Sequence, residues 1–293
     1  MKIRKAVIPV AGKGTRFLPA SKEIPKEMIP IINKPMIHYA VMEAIEAGIE
    51  EILFITSEGK GSIEHYFKRN NKLEKFLKER GKDDLFEQIK TIGSSIEIQT
   101  IRQDEQLGLG HAISYAEEFT TGETFCVILG DDLILAETPV CAQLMSISNQ
   151  YNNNAVIGVM EVANQDTDKY GIVDGIFLEG KKTLKMKKMV EKPSPDKAPT
   201  NLATPGRYIL TNKIFDCLRE IPRGVGGEYQ LTDAINLLAE RQDVYAHIFI
   251  GDRFDTGSIK GYLNATVEFA LRNSETRDMM EEIIKDKVER YKL

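Results

Sequence analysis

The first half of the chain alternates between two hydrophobic periods. The run Ala6-Val7-Ile8-Pro9-Val10-Ala11 is apolar throughout and reads as a buried strand, after which Gly12 and Gly14 force a tight turn. Over residues 36–48, Ile37, Ala40, Val41, Ala44 and Ile45 recur at helical spacing, with Gly48 as the stop. Residues 52–56 read as the next strand, and 62–92 as two or three short charged helices. Residues 96–101 alternate like a half-buried strand, 110–119 are helical, and 125–129 form a second fully apolar strand. This rhythm predicts an α/β fold with a mostly parallel central sheet flanked by helices. Ligands bind such sheets beyond the carboxyl ends of the strands. The glycine turn, Arg102-Gln103 and Gly130-Asp131-Asp132 each follow a strand, so all three clusters are expected on one sheet edge.

The second half reads differently. Strands at 155–162, 171–173, 185–190 and 207–210, joined by polar turns, predict a smaller and partly antiparallel portion. Helices at 212–221 and 228–241 and a strand at 246–250 follow. A helix at 258–272 is expected to turn Ile259, Leu263, Val267 and Ala270 inward, and a charged helix runs from 275. No Gly/Ser-rich linker, repeat or low-complexity tract interrupts the chain. One domain over 1–293 is expected, with halves of about 1–150 and 151–258 and C-terminal helices over 259–293.

Composition narrows the ligands. The net charge of −5 argues against electrostatic binding to nucleic acid or an anionic membrane, so an anionic ligand must meet local cations. No apolar run approaches the roughly 20 residues of a membrane span. The stretch after Met1 is broken by Pro9 and closed by Lys13, so no signal peptide is expected. Cys126, Cys141 and Cys217 show no C-x-x-C pairing and fit reduced thiols in a cytoplasmic protein. No two of the four histidines have metal-ligand spacing.

The chemistry-bearing residues lie in short segments. In Gly12-Lys13-Gly14-Thr15-Arg16 the glycines let backbone N–H groups approach a phosphate, and Arg16 adds a cation that does not titrate. Phe17 stands where a dinucleotide fingerprint needs glycine, and the spacing is not that of a P-loop. Lys26 follows in Pro25-Lys26-Glu27-Met28-Ile29-Pro30, a loop stiffened by its prolines. Asp131, and much later Asp255, end strands where carboxylates suit Mg²⁺; the plainer readings are an Asp turn and a capping network with Ser258. Gln103 offers a donor and an acceptor that match the imide edge of uracil or thymine. Gly108 and Gly110 would let a flat base lie against backbone, or else simply open a helix, and His111 reads as structural. Glu191-Lys192 closes a strand as a hydroxyl- and phosphate-binding pair or as an ordinary solvated ion pair.

Read in order, these segments resemble the sugar-nucleotide pyrophosphorylases, and in particular the bacterial UTP–glucose-1-phosphate uridylyltransferases. The resemblance runs from residue 8 to 258: G-x-G-T-R, P-K-E-M-I-P, R-Q before G-L-G-H-A, L-G-D-D, Y-G-I-V, V-E-K-P, G-R-Y and G-G-E-Y-Q-L-T-D-A-I. It implies a Rossmann-like nucleotidyltransferase fold and transfer of uridylyl from UTP to glucose 1-phosphate. By the resemblance, Ala11, Gly12, Gln103 and Gly108 hold the uridine, with Gly14 and Thr15 completing the cradle. Arg16 and Lys26 bind the triphosphate, Asp131 and Asp255 hold Mg²⁺, and Gly171, Glu191 and Lys192 hold glucose 1-phosphate. It also implies a homo-oligomer, dimer or tetramer, with the C-terminal helix as candidate interface. Asp255-Thr256-Gly257-Ser258 departs toward the thymidylyltransferases, and Thr204-Pro205 replaces a small apolar pair. A thymidylyltransferase, or a uridylyltransferase for another sugar phosphate, is the alternative within the class. A non-catalytic nucleotide-sugar sensor and a nicotinamide-dependent oxidoreductase are the alternatives outside it.

Overall fold

The computed structural model describes residues 2–292. Its first half contributes β1 (Lys5–Pro9), a short pair β2 (Pro30–Ile31) and β3 (Lys34–Pro35), β4 (Glu51–Thr56), β5 (Glu97–Arg102) and β6 (Phe125–Ile128). Then come β7 (Asp132–Leu135), β8 (Ala155–Glu161), β9 (Gly171–Phe177) and β10 (Thr183–Glu191). The last are β11 (Leu202–Thr204), β12 (Arg207–Leu210), β13 (Val244–Ile248) and β14 (Asp252–Asp255).

Ten strands form one sheet in the order β11-β9-β10-β13-β8-β12-β6-β1-β4-β5. The run β6-β1-β4-β5 is parallel. β12 lies antiparallel to both β6 and β8 and so joins the two halves. β11 pairs with β8 as well as β9, which curls the far end of the sheet back on itself.

Both faces of β1, β4 and β6 are covered, which is why these strands read as continuous apolar runs. Val7 of β1 packs with Leu53, Ile55, Ile113 and Val127 on one face. Ala6 and Ile8 pack on the other with Phe54 and with Ile37, Ala40, Val41 and Ala44 of the helix Met36–Glu46. The predicted 62–92 region is three short helices, Gly61–Tyr66, Asn71–Glu79 and Asp83–Ile92. Among the described residues no helix is long and apolar enough to cross a membrane.

Cys126 and Cys141, 15 residues apart in sequence, are buried free thiols as expected, with their sulfurs 3.2 Å apart. Two expectations change. β5 is the edge strand, with one neighbour, and is largely exposed. In the helix Ile259–Arg272 the face expected to point inward points out: Ile259, Leu263 and Val267 are 52, 58 and 39% exposed, and of that set only Ala270 is buried. The helix carries a second stripe, Tyr262, Ala265 and Phe269, which packs with Ile31, Leu133 and Phe254 instead. Aromatic geometry decides between the stripes. The Phe269 ring meets Tyr39 at 4.7 Å and Phe254 at 5.7 Å edge-on, and the Tyr262 hydroxyl donates to the Pro30 carbonyl at 3.0 Å.

One buried ion pair fixes the sheet to its helix layer. Arg207, fully buried at the start of β12, grips the Glu43 carboxylate with Nη2 at 2.7 Å and Nε at 3.1 Å. The same guanidinium donates to the carbonyls of Leu129 (3.2 Å) and Asp132 (2.7 Å), bracketing the loop that carries Asp131. Glu43, itself only 8% exposed, thereby has its charge balanced within the fold. Arg207→Met should cost about 3–5 kcal/mol in urea denaturation, because it leaves that carboxylate buried and unpaired. Wild-type stability in this variant would show that the pair does not hold the layer.

Candidate active site

The glycine turn and the lysine loop form one cradle. Gly14 has φ 65°, and a Cβ there would lie 3.0 Å from the Lys26 Cβ, so the lysine stem runs against the turn. The Lys26 ammonium passes above Gly12, 3.9 Å from where a Cβ would stand. It ends on Asp131 at 2.6 Å, across from the end of β6. Burial works against the Lys26 charge, but the facing Asp131 carboxylate outweighs it and raises the lysine above its ordinary value. Likewise burial opposes the Asp131 charge, and Lys26 wins and lowers that carboxyl. Arg16 reaches over the turn to the Gly257 carbonyl at 3.1 Å.

A small ladder brings the acids together. β7 and β14 pair antiparallel, with Asp132 directly opposite Asp255. A Cβ on Gly257 would stand 2.9 Å from Asp131 Oδ2 and 3.1 Å from Asp255 Oδ1, so these two carboxylates flank one small space. Arg253, on β14, pairs with Asp132, donates to the Tyr170 hydroxyl at 2.6 Å and lies 3.9 Å from Asp255. Burial is the largest influence on Asp132 and drives its carboxyl up to about 7; Arg253 opposes this, and Asp131 adds repulsion. Among the described residues no group of three or more metal-ligating side chains is assembled. Two carboxylates around a space that a single Cβ would fill do fit a hard divalent ion that completes its shell with phosphate oxygens and water.

A cleft of about 680 Å³ gathers part of the expected set, drawn from both halves, while Lys26, Gln103 and the cradle glycines lie outside its lining. Arg16, Asp131, Gly171, Glu191, Lys192 and Asp255 all line it, together with Arg253 and Tyr208. Its lining contains no histidine or cysteine. Glu191 accepts from the Thr232 hydroxyl at 2.6 Å, which aims one oxygen, and lies 3.5 Å from the Lys192 ammonium. Gly171 is required by crowding: a Cβ would stand 3.1 Å from both Met189 Sδ and Thr204 Cγ2. A second cleft of about 390 Å³ is lined by Lys13, Lys60, Arg102, Gln103 and Gln106.

Some sequence expectations acquire other physical explanations. Gln103 is only 3% exposed, and its Nε2 lies 2.9 Å from His111 Nδ1, so His111 has the structural role expected of it. Gly108 (φ 99°) and Gly110 are demanded by the chain at Glu228-Tyr229. A Cβ on either would approach Glu228 Cβ or the Tyr229 carbonyl to 2.7 Å. Thr256, the departure in Asp255-Thr256-Gly257-Ser258, is fully buried and donates to the Asp131 carbonyl at 2.8 Å. It anchors the Asp131 loop and does not line either cleft. Ser258 caps its helix by accepting from the Gly261 N–H at 3.1 Å, as the plainer reading has it. Ala11 is held by Gln106 and Ser57, which donate to its carbonyl at 2.8 and 3.0 Å. Thr15 opens the short turn Thr15–Phe17.

Sequence reasoning missed the roles of Arg253, Arg207, Lys60 and the β7–β14 pairing. Arg253 stands two residues from Asp255 on a strand, and that spacing was the available signal.

A mixed sheet with a glycine cradle, a lysine paired to an aspartate and a second aspartate at the same edge is the arrangement of a nucleotidyltransferase. Residues 5–271 match the Nucleotidyl transferase family, to which the chain belongs. It is 47% identical to the UTP–glucose-1-phosphate uridylyltransferase of Bacillus subtilis over 95% of each chain. It is similar to the solved structure of a UTP-bound UGPase from Acinetobacter baumannii, at 40% identity, 97 and 99% coverage and a TM-score of 0.90. A UDP-glucose pyrophosphorylase complexed with UDP-glucose is 40% identical, with 93 and 100% coverage and a TM-score of 0.84. Within the family, the chain groups with the bacterial UTP–glucose-1-phosphate uridylyltransferases.

The cradle makes a sharp contrast testable. Gly12→Ala should fold with wild-type stability, whereas Gly14→Ala should lose about 1–2 kcal/mol from its left-handed backbone. Equal denaturation midpoints for the two would remove Gly14 from that role.

Proposed function

We propose that the protein transfers the uridylyl group of UTP to α-D-glucose 1-phosphate, giving UDP-glucose and pyrophosphate. The observation that carries this reading is the single cleft that joins Arg16, Asp131 and Asp255 to Gly171, Glu191 and Lys192, with Lys26 held against Asp131 behind its wall. An oxygen of the sugar phosphate attacks the α-phosphorus of UTP, and the bond to the β-phosphate breaks in line, so pyrophosphate leaves with the electron pair. That attacking oxygen is already ionised, so no general base is needed, and the lining offers no histidine for one. The protein's work is to align two polyanions and neutralise their repulsion.

Arg16 and Lys26 receive the triphosphate, with backbone N–H groups of Gly12, Gly14 and Thr15 beside them. Ala11, Gln103 and Gly108 border the uridine. Lys192 binds the sugar's phosphate, and Glu191 accepts from its hydroxyls, with Gly171 leaving room for the ring. Nucleotidyltransferases of this family generally use a divalent metal. We take it to be Mg²⁺, held by Asp131 and Asp255, where it would neutralise phosphate charge when bound. Lys26 and Asp131 neutralise one another in the free site. On substrate binding Lys26 exchanges its carboxylate for phosphate, which frees Asp131 as a ligand.

The buried free thiols suit a reducing compartment, and we place the enzyme in the cytoplasm. Ile259, Leu263 and Val267 face outward, as do Met279 and Ile283 of the next helix, and we assign these exposed apolar residues to the interface of a homo-oligomer, dimer or tetramer.

Pyrophosphate release with glucose 1-phosphate and Mg²⁺ should be strongest with UTP, weaker with dTTP, and weaker again with galactose 1-phosphate. Asp131→Asn and Lys192→Ala should each lower turnover by about 100-fold or more. Preference for dTTP would turn the assignment to a thymidylyltransferase, and nucleotide binding without release from any pair would make the protein a sensor. By sedimentation, the wild type should be a dimer or larger and Leu263→Asp a monomer; a monomeric wild type would overturn the interface.

A further inference from the structure

Lys60 lies between Gly59 and Gly61 after β4, a position that in sequence resembles an ordinary surface turn. In the fold it is only 8% exposed, and its ammonium is surrounded by protein oxygens. It donates to the Gly12 carbonyl at 2.7 Å, to the two Glu27 oxygens at 2.8 and 3.0 Å, and to the Val10 carbonyl. A lysine has three N–H donors, so these four acceptors saturate it and none is left for substrate. Glu27 is only 2% exposed. Burial pulls Lys60 down and pushes Glu27 up, and each is the main charge that opposes this for the other.

The contacts gather three separate segments: the end of β1, the turn Lys26–Met28 and the end of β4. Lys26 and Glu27 are consecutive on a single 3-10 turn, where neighbouring side chains diverge by about 120°. Holding Glu27 inward therefore swings Lys26 outward, along Gly14 and across to Asp131. The same ammonium fixes the Gly12 carbonyl on the far side of the turn, which sets how the neighbouring N–H groups face the cradle. None of its partners lines the cleft that holds Gly171, Glu191 and Lys192.

We propose that Lys60 is a positioning residue for the nucleotide half of the reaction, an internal cation that shapes the glycine cradle and aims Lys26 through Glu27. This rests on the uridylyltransferase reading above. Lys60 lies with Gln103 in the wall of the second cleft, but its ammonium is committed to Val10, Gly12 and Glu27. Its loss should therefore act through them on UTP and leave the sugar phosphate alone.

The test compares the wild type with Lys60→Met and with the double variant Lys60→Met/Glu27→Met, which removes both charges and so leaves none buried and unpaired. UTP binding is followed by calorimetry without sugar phosphate, alongside KM for each substrate and the melting temperature. In the folded double variant the Kd and KM for UTP should rise about tenfold or more, as expected for a displaced binding group, while KM for glucose 1-phosphate stays unchanged. A merely structural role would lower the melting temperature and leave that split absent. A folded variant that binds UTP like the wild type would overturn the role of Lys60. A wild type that binds no UTP would overturn the uridylyltransferase reading and this placement with it.

Discussion

Charge balance at one sheet edge is the constraint on which the site depends. Asp131, Asp132 and Asp255 crowd the ends of β6 and β14, and three like charges that close would repel and seek protons. Two cations serve the three: Lys26 pairs with Asp131, and Arg253 pairs with Asp132 and lies 3.9 Å from Asp255. Arg207 holds the backbone of the same loop from below. The acids therefore persist without ligand, and their partners belong to the fold and are not borrowed from substrate.

This arrangement separates cations that exchange from cations that do not. Arg207 and Lys60 are buried and saturated by protein oxygens, and removing either would leave an uncompensated carboxylate. Lys26 and Arg16 sit at the rim, with one carboxylate and one carbonyl partner respectively. Those single partners leave N–H donors of both side chains uncommitted. A chain of net charge −5 thus keeps local positive charge at this edge.

The parallel half was legible in the sequence because its strands are buried on both faces and its helices on one. The apolar run at β1 and the spacing from Ile37 to Ile45 each admit one interpretation. The clustering of Gly12, Gln103 and Asp131 on one edge followed from topology alone. The β7–β14 ladder was not legible, since four-residue strands 120 positions apart carry no period of their own. The orientation of the helix Ile259–Arg272 was misread for a related reason. It carries two apolar stripes, and only the rings at Tyr39 and Phe254, distant in sequence, select the one that faces in.

The glycines show the limit of motif reading from the other side. Gly108 and Gly110 fit a base platform by pattern, yet the approach of Glu228-Tyr229 alone is enough to require them. That approach also ties the nucleotide half to the helix Leu231–Arg241, whose first turn carries Thr232, the partner of Glu191. One crowded backbone crossing therefore links the loop beside Gln103 to the residue that orients Glu191. The two substrate regions are thus set relative to each other by packing, and an in-line transfer between two bound anions depends on that spacing more than on any single reactive group.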